Sequence, residues 1–338
     1  MKRRWAILLF VAGAALFAAL VVRIGPATLL DDLARVGWWF VPVVALFGLA
    51  FVAHTGAWAV VLSVEPRRPS LPRLWQIVVS GYAINFLTPV ISAGGEPYRV
   101  SALAPWIGKR RATGAVILYF MLHSASSLML WSVAMIIALG APLATRETTV
   151  GAVVVLTVIA GLGTILWRAH RHGGLETVLD LMQRVPGLRR LARRLESRRA
   201  TLAELDRHIT DFSRHHPRRL ASALALDVLA RAIAAVEIVI IGHTAGTAIS
   251  YAEAVAITGF AGLGINATFF VPFGLGTWEG SFLAGYALLG LDPGLGLVAG
   301  LVTRLRELAW VAAGLALLLL PGRGPAVIPT RSSPAASS

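Results

Sequence analysis

Charged side chains occur inside strongly hydrophobic stretches of this sequence, where each needs a partner or a water-filled cavity. A charge at the centre of a bilayer costs at least about 2.5 kcal/mol. Guanidinium groups at that depth suit the phosphate of a lipid headgroup, which they bind through paired hydrogen bonds. Carboxylates beside them could hold the arginines when no lipid is present, bind an ammonium group or carry a proton. The charged residues in these stretches are Glu96, Arg99, Asp227, Arg231, Glu237, Glu279, Arg304, Arg306 and Glu307.

Two of these carboxylates follow interruptions of a hydrophobic segment rather than lying in a regular helix. Both segments read Gly-x-x-Ile-Asn, then a proline, then glycines, and then a Glu seven residues after the proline. The shared positions are Asn85, Pro89, Gly94, Gly95 and Glu96 in the first segment, and Asn266, Pro272, Gly274, Gly276 and Glu279 in the second. Gly and Pro are frequent in membrane helices, so a loose match can arise by chance. The conjunction of all four residue types favours a true structural repeat.

Membrane-spanning helices must position these residues, because the chain is too apolar for a soluble domain. Of its 338 residues, 57% are hydrophobic and 14% charged, whereas soluble domains carry about a quarter charged residues. Hydrophobic runs of membrane-spanning length recur along the chain. They predict an all-α polytopic membrane protein with two inverted broken or re-entrant helix elements. The predicted spans are about 5–22, 38–62, 112–139, 148–167, 220–242 and 296–320, with broken stretches at 74–106 and 252–291.

The spans together form one predicted transmembrane domain, 1–320, followed by a disordered tail, 321–338. The chain carries a net charge of +14, which in a soluble protein would suggest nucleic-acid binding. Here most Lys and Arg fall in loops on one predicted side, including the basic segment 168–218. Basic loops mark the cytoplasmic side, so we predict cytoplasmic N- and C-termini and no nucleic-acid partner.

This topology brings the first broken stretch into the membrane from the cytoplasm and the second from outside, as in an inverted repeat. Paired Gly/Pro-interrupted segments in corresponding halves indicate a transport site near the bilayer midplane. The physical reason is that backbone groups freed by such breaks are tolerated at membrane depth only where protein buries them or water reaches them.

Some of the intramembrane charges have a purely structural interpretation. Asp227 and Arg231 are spaced i,i+4, and Arg304 and Glu307 i,i+3, so each pair can meet on one helix face. For Asp227 and Arg231 we favour a self-neutralising structural pair. Glu237 lies near the outer end of its predicted span, where water would solvate it.

Two histidines, His54 and His123, lie within predicted spans with no neighbouring ligand set. This predicts hydrogen-bonded helix contacts rather than a metal site or a proton relay. The chain has no cysteine, which excludes disulfides, thiolate zinc sites and iron–sulfur clusters. It also lacks the phosphate loop, HExxH and GxSxG motifs. We therefore expect no cofactor and no metal, and an ATP-driven pump is disfavoured.

With these motifs the chain resembles the lysylphosphatidylglycerol synthase transmembrane-region family, also called flippase-like. The resemblance rests on Asn85, Pro89, Gly94, Gly95, Glu96 and Arg99, and on Pro272, Gly274, Gly276 and Glu279 with Arg304 downstream. It implies a multi-pass protein of the bacterial inner membrane that moves a lipid headgroup between leaflets. The bifunctional members carry a soluble aminoacyl-transferase domain that this sequence lacks, so we expect a transporter rather than a synthase.

Three functions are therefore considered, with a lipid translocase first. The alternatives are a membrane-embedded transferase acting on a polyprenyl or hopanoid lipid, and a non-catalytic partner subunit of a lipid-modifying system. The expected ligands are membrane lipids with a phosphate-bearing headgroup. The sequence leaves open whether the protein forms a homo-oligomer or binds a lipid-modifying enzyme. The predicted substrate-binding residues are Asn85, Pro89, Gly94, Gly95, Glu96, Arg99, Asn266, Pro272, Gly274, Gly276, Glu279, Arg304, Arg306 and Glu307.

Overall fold

The computed structural model describes five ranges of the chain: 36–88, 94–140, 146–172, 199–269 and 276–320. It also describes the single positions Val22, Ala27, Gly174, Gln183, Val271 and Gly274. All regular structure in these residues is helical and none of them lies in a strand, which confirms the predicted all-α fold. The predicted first span up to residue 21, the tail 321–338, most of the basic segment before residue 199, and the two prolines of the repeat, Pro89 and Pro272, lie outside the described residues.

Ten α-helices fall within the described ranges. They are α1 (Phe40–Val61), α2 (Leu71–Leu87), α3 (Gly95–Ile107), α4 (Lys109–Leu139), α5 (Arg146–His172), α6 (Arg199–His215), α7 (Pro217–Thr244), α8 (Tyr251–Ala267), α9 (Thr277–Leu288) and α10 (Pro293–Leu319). Short 3-10 turns, Gly37–Trp39 and Leu62–Val64, extend α1 at its two ends.

Length and composition sort these helices into three kinds. Three are both long and apolar enough to cross a membrane: α1 with its flanking turns, α4, and α5 as far as Arg168. Two more, α7 and α10, have 28 and 27 residues but carry ionisable side chains in their middle turns. The helices α2, α3, α8 and α9 have 17, 13, 17 and 12 residues, below the roughly 20 residues of a full span. Helix α6, also of 17 residues, lies in the basic segment. The protein is therefore polytopic, and its short hydrophobic helices form the broken elements.

Each broken element is a helical hairpin of two short antiparallel helices. In the first, α3 starts beside the last two turns of α2, and a Cβ at Gly95 would lie 2.2 Å from the carbonyl oxygen of Gly81. In the second, α9 runs back along α8, and a Cβ at Gly264 would lie 2.4 Å from the Oγ of Ser281. Glycine at these points lets the two arms of each hairpin approach closely.

At the tip of the second hairpin the chain turns into α9. Gly274 and Gly276 adopt φ values of 58° and 76°, in the left-handed region that side chains with a Cβ rarely enter. The glycines in this motif are thus required by the backbone conformation.

The helices form two sets of four that pack in the same pattern. The set α1–α4 corresponds to the set α7–α10, and each helix of the second set ends 180 to 183 residues after its counterpart (Val61 and Thr244, Leu87 and Ala267, Ile107 and Leu288, Leu139 and Leu319). Helix α1 contacts α2 as α7 contacts α8, and α2 packs on α10 as α8 packs on α4. The helices α5 and α6 lie between the two sets in the sequence.

The two sets run in opposite directions. The counterparts α1 and α7 pack along each other at the centre, with Trp39 near His243 at one end and Gly56 near Leu226 at the other. These contacts make α1 and α7 antiparallel. A pseudo-twofold axis across the helix bundle therefore relates the halves, which is the geometry of an inverted repeat.

The equivalent contacts between α2 and α10 and between α8 and α4 depend on glycine. A Cβ at Gly314 of α10 would lie 2.7 Å from the carbonyl oxygen of Val79, and one at Gly259 of α8 would lie 2.5 Å from the Cβ of Ala134. We expect Gly314→Val to force these helices apart and to destabilise the fold by about 1–3 kcal/mol, the usual effect of overpacking. The measurement is the apparent melting temperature of the detergent-solubilised protein.

Gly161→Val in α5 is the matched control, because a Cβ at Gly161 would meet no atom within 4 Å. Its melting temperature should equal that of the unmodified protein. Equal melting temperatures for both variants would contradict the close packing of α2 against α10.

Candidate functional site

A cavity of about 620 Å³ lies between the two halves, beside the central pair α1 and α7. It is lined from both sets of helices, and it carries ionisable and amide side chains among apolar ones. These side chains are His54, Tyr82, Asn85, Glu96, Arg99, Tyr119, His123, Arg231, Glu237, Asn266, Arg306 and Glu307. Six of the residues predicted to bind substrate are among them: Asn85, Glu96, Arg99, Asn266, Arg306 and Glu307.

The first hairpin presents a linked Asn–Glu–Arg cluster to this cavity. The Nδ2 of Asn85 donates to Glu96 Oε1 at 3.0 Å, and its Oδ1 accepts the backbone N–H of Gly95 at 2.5 Å. The guanidinium of Arg99 donates to the same Glu96 oxygen at 2.9 Å. Asn85 thus ties the end of α2 to the start of α3 and orients the carboxylate.

Arg99 is held by packing more than by polar contacts. Its guanidinium lies across Gly81, where a Cβ would come 2.6 Å from Arg99 Nε. The Nε of Arg99 and the Oε2 of Glu96 are both buried, and neither has a hydrogen-bond partner among the described residues. Buried groups of this kind are rare in native proteins, and here both belong to side chains that line the cavity.

The second hairpin holds its carboxylate differently. Arg304 of α10 has only 1% of its surface exposed and donates from its Nε and Nη2 to the two oxygens of Glu279, with the Nη2 contact at 3.1 Å. Its Nη2 also donates to the carbonyl oxygen of Gly274 at 3.0 Å. Glu279 accepts the backbone N–H of Gly276 at 3.1 Å. Arg304 therefore fastens the tip of the second hairpin to α10, and neither member of this pair lines the cavity.

The two asparagines of the repeat also differ in their contacts. Asn85 bonds to Glu96, whereas Asn266 is exposed to the cavity and donates to the carbonyl oxygen of Gly262 in its own helix. The repeat is thus closely matched in its helices and unmatched in its polar contacts. Gly94 and Gly95 lie where α3 starts, packed against α2.

A buried cluster of two carboxylates and one guanidinium forms the opposite wall. Arg306 donates to both oxygens of Glu237, from Nε at 3.0 Å and from Nη2 at 2.6 Å, and its Nη1 donates to Glu307. Its guanidinium carbon lies 3.7 Å from the ring centre of Phe47, in cation–π contact. The prediction that water solvates Glu237 is wrong, since only 3% of its surface is exposed. Arg304 and Glu307 do not pair with each other. Arg304 binds Glu279 of α9, and Glu307 binds the adjacent Arg306.

Asp227 is the centre of a third cluster, which joins α1, α4 and α7. Its carboxylate is fully buried and receives hydrogen bonds from His54 at 2.8 Å, Tyr119 at 2.9 Å, and Ser126. His123 Nδ1 lies 3.1 Å from its Oδ2. The predicted partner Arg231 lies 3.7 Å away, so the pair exists but is the longest contact of the group.

The sequence prediction that the two histidines have no ligand set is wrong. His54, His123 and Asp227 offer nitrogen and oxygen atoms within 4.8 Å of one another, a spacing that a metal ion could bridge. Arg231 already supplies a positive charge there: its Nη2 lies 3.2 Å from His123 Nε2 and its Nε lies 3.7 Å from Asp227. A divalent cation would have to bind beside this guanidinium, so the donor set does not suit one.

Sequence reasoning missed Tyr119 and Ser126 as partners of Asp227 altogether. A signal was present, because Tyr119 and His123 are four residues apart and Ser126 three further on, which places all three on one face of α4. A polar face within a hydrophobic span indicates a buried polar contact or a cavity.

Comparison with known proteins relates the chain to membrane proteins linked to lipid metabolism or translocation. A sequence model described as "Lysylphosphatidylglycerol synthase TM region" matches residues 5–315, nearly the whole chain. A search of curated proteins finds no match.

Arg304 provides a test of the site geometry. Arg304→Met leaves Glu279 facing α10 without its cation, and removing one partner of a buried ion pair costs about 3–5 kcal/mol. We expect a lower apparent melting temperature in detergent. The double variant Arg304→Met, Glu279→Leu should recover much of the loss, because no charge is then left unpaired.

Arg110→Met is the control for this change, since Arg110 pairs with Glu204 at an exposed position, 74% and 48% accessible. Exposed pairs contribute about 0–1 kcal/mol to stability, so this variant should have the same melting temperature as the unmodified protein. An Arg304→Met protein that melts at the same temperature would contradict the fastening role of Arg304.

Proposed function

The chain belongs to the lysylphosphatidylglycerol synthase TM region family, and from that premise we propose that it is a lipid translocase. The family indicates a membrane protein linked to lipid metabolism or translocation. Our proposal is that the headgroup of a phospholipid, or of a related lipid bearing a phosphate, crosses between leaflets through the cavity between the two halves. We place the protein in a bacterial inner membrane with both termini in the cytoplasm, in keeping with its basic loops.

One observation supports this proposal most directly: a cavity with charged walls lies between two inverted four-helix sets. Its volume of about 620 Å³ falls in the range of sites for small molecules, about 300–1,000 Å³. Transporters built from inverted repeats bind substrate at the repeat interface, close to broken helices. Here Glu96 and Arg99 of the first hairpin lie on that wall.

We assign the headgroup to Glu96 and Arg99 because these side chains have unused hydrogen-bonding capacity. The Nε of Arg99 can donate to a phosphate oxygen, and Oε2 of Glu96 can accept from an ammonium or hydroxyl group. The other guanidinium groups on or near the wall already have partners, Arg306 with two carboxylates and Arg231 with Ser126 and Ser127.

The acyl chains need an apolar path, and a groove of about 810 Å³ between α3 and α4 provides one. Glu96, Val116 and Phe120 line both this groove and the polar cavity. Lys109 lies on its wall at the start of α4 and is followed by Arg110 and Arg111, a basic run typical of the cytoplasmic side. A lipid could therefore keep its chains in the groove while its headgroup enters the cavity.

The two hairpins hold their glutamates in different surroundings, and this suggests how the cavity opens to each side of the membrane in turn. The Glu of the first hairpin faces the cavity, whereas the Glu of the second is held against α10 by Arg304. Alternating access through an inverted repeat proceeds by movement of one repeat against the other around the site. In the opposite state we expect the Glu279–Arg304 pair to face the cavity and the Glu96–Arg99 pair to be packed away.

Substitution of Arg99 tests the headgroup assignment. Arg99→Gln removes charge-assisted hydrogen bonds, worth about 1.5–3 kcal/mol each, so we expect the transfer of a fluorescent phosphatidylglycerol between leaflets to slow by about tenfold or more. The rate is measured in reconstituted vesicles as the fraction of probe that albumin extracts from the outer leaflet over time. Arg110→Gln, exposed at the start of α4, is the control and should transfer lipid at the unmodified rate.

The paired glutamates give a second test of the same proposal. Because each is expected to serve one access state, the double variant Glu96→Gln, Glu279→Gln should be slower than either single variant. Equal transfer rates for the intact protein and the double variant would rule out the assigned roles. Absence of protein-dependent transfer for every probe would rule out translocation itself.

A further inference from the structure

The cluster around Asp227 points to a second transported species, and we infer that His54 carries a proton that crosses together with the lipid. This inference rests on the proposed function, since it makes the translocase a proton–lipid symporter. Water on one side supplies a proton to His54 Nε2, and the same nitrogen releases it to water on the other side. The arrangement of donors, acceptors and charges around His54 supports each part of this assignment.

Asp227 fixes which nitrogen of His54 is free. The carboxylate accepts hydrogen bonds from Tyr119 and Ser126, so it is an acceptor in this network. His54 Nδ1, 2.8 Å from Asp227 Oδ1, must then be the protonated nitrogen. The Nε2 of the neutral ring is left as an acceptor, with no hydrogen-bond partner among the described residues.

His54 differs in this respect from its neighbour His123. Arg231 lies 3.2 Å from His123 Nε2 and donates to its backbone oxygen at 3.1 Å, so a proton on His123 would place two cations side by side. Both side chains line the cavity, and His123 is the more exposed, 43% against 20% for His54, so the nearby guanidinium and not access to the cavity distinguishes the two. His54 is thus the member of the cluster that can take a proton, and His123 is a positioning residue.

The charges around the cavity leave room for one more positive charge. The charged groups that line it come from α3 (Glu96, Arg99), α7 (Arg231, Glu237) and α10 (Arg306, Glu307), so three carboxylates balance three guanidinium groups. The other titratable side chains on the wall are His54 of α1, Tyr82 of α2, and Tyr119 and His123 of α4. Asp227 of α7 lies behind the two histidines, in contact with both, and adds one negative charge. The phosphate of a headgroup would add another. A proton on His54 offsets that addition.

The inverted repeat gives His54 a distinct counterpart in the second half. The offset of 183 residues that relates the end of α1 to the end of α7 pairs His54 with Glu237. Glu237 forms a buried ion pair with Arg306 at 2.6 Å. The same place in the fold thus holds a fixed ion pair in one half and an imidazole in the other. Imidazole is the side chain that changes charge near neutral pH.

The experiment measures where the lipid accumulates across a pH difference. Full-length protein is reconstituted into vesicles that contain fluorescent phosphatidylglycerol, with the membrane potential clamped to zero by valinomycin and equal potassium. One-to-one symport predicts that the probe accumulates in the leaflet on the alkaline side, up to about tenfold for one pH unit, because a tenfold proton ratio is the driving force. A pH dye trapped in the lumen should report proton movement in the same direction.

His54→Asn separates coupling from translocation. The Asn amide can still donate to Asp227 from near the position of Nδ1, but it has no nitrogen that binds a proton at neutral pH. We expect this variant to move the probe to an even distribution whatever the pH difference, and to show no dye response. His243→Asn is the matched control, since His243 is exposed at the far end of α7 and should leave the accumulation intact.

The outcomes separate the two proposals. Even distribution of the probe by the unmodified protein, or accumulation on the acidic side, overturns the symport while translocation stands. Accumulation by His54→Asn equal to that of the unmodified protein overturns the assignment to His54. Absence of any protein-dependent movement overturns both proposals. One equivalent of metal in the purified protein, lost together with transport on chelation, would make the cluster a metal site instead.

Discussion

Every ionisable group at membrane depth in this protein needs a neutralising neighbour, and this requirement explains how its helices are arranged. A lone buried charge is costly in a hydrocarbon environment, so each charged residue lies beside an opposite charge or a hydrogen-bonding group, in several cases on another helix. Glu237 of α7 binds Arg306 of α10, Glu279 of α9 binds Arg304 of α10, and Asp227 of α7 binds side chains of α1 and α4. The Asp227 contacts join the two halves beside the cavity, and the two Glu–Arg pairs hold α7 and the second hairpin to α10 within the second half.

The same contacts limit the substrate. Since a buried ion pair that loses one partner is strongly destabilised, a ligand can enter only where hydrogen-bonding capacity is unused or where it brings a compensating charge. Arg99 and Glu96 meet the first condition, with an unpaired Nε and an unpaired Oε2. The negative charge of a phosphate is compensated in our proposal by the proton on His54.

The fold was largely predictable from the sequence, and the site only in part. Hydrophobic runs and the Asn–Pro–Gly–Glu pattern predict helices and a repeat, because they depend on local composition and on spacing along the chain. Contacts within one helix, such as Glu96 with Arg99, follow from an i,i+3 spacing. The partners of Arg306, His54 and Tyr119 lie 69, 173 and 108 residues away, and only the packing of separate helices brings them together. For this reason the spacing of Arg304 and Glu307 suggested a pair that does not form.

Helix α5 has a consequence for how such a protein could arise and vary. It belongs to neither set of four helices, and few of its residues are buried. Each set begins and ends on the same side of the bundle, since its hairpin returns to the side from which it enters. A single additional crossing between the sets is therefore what turns the second set upside down. Without α5, a duplicated gene segment would give two copies with the same orientation in the membrane. The length and hydrophobicity of α5 therefore matter far more than its individual side chains, because they decide whether it crosses the membrane.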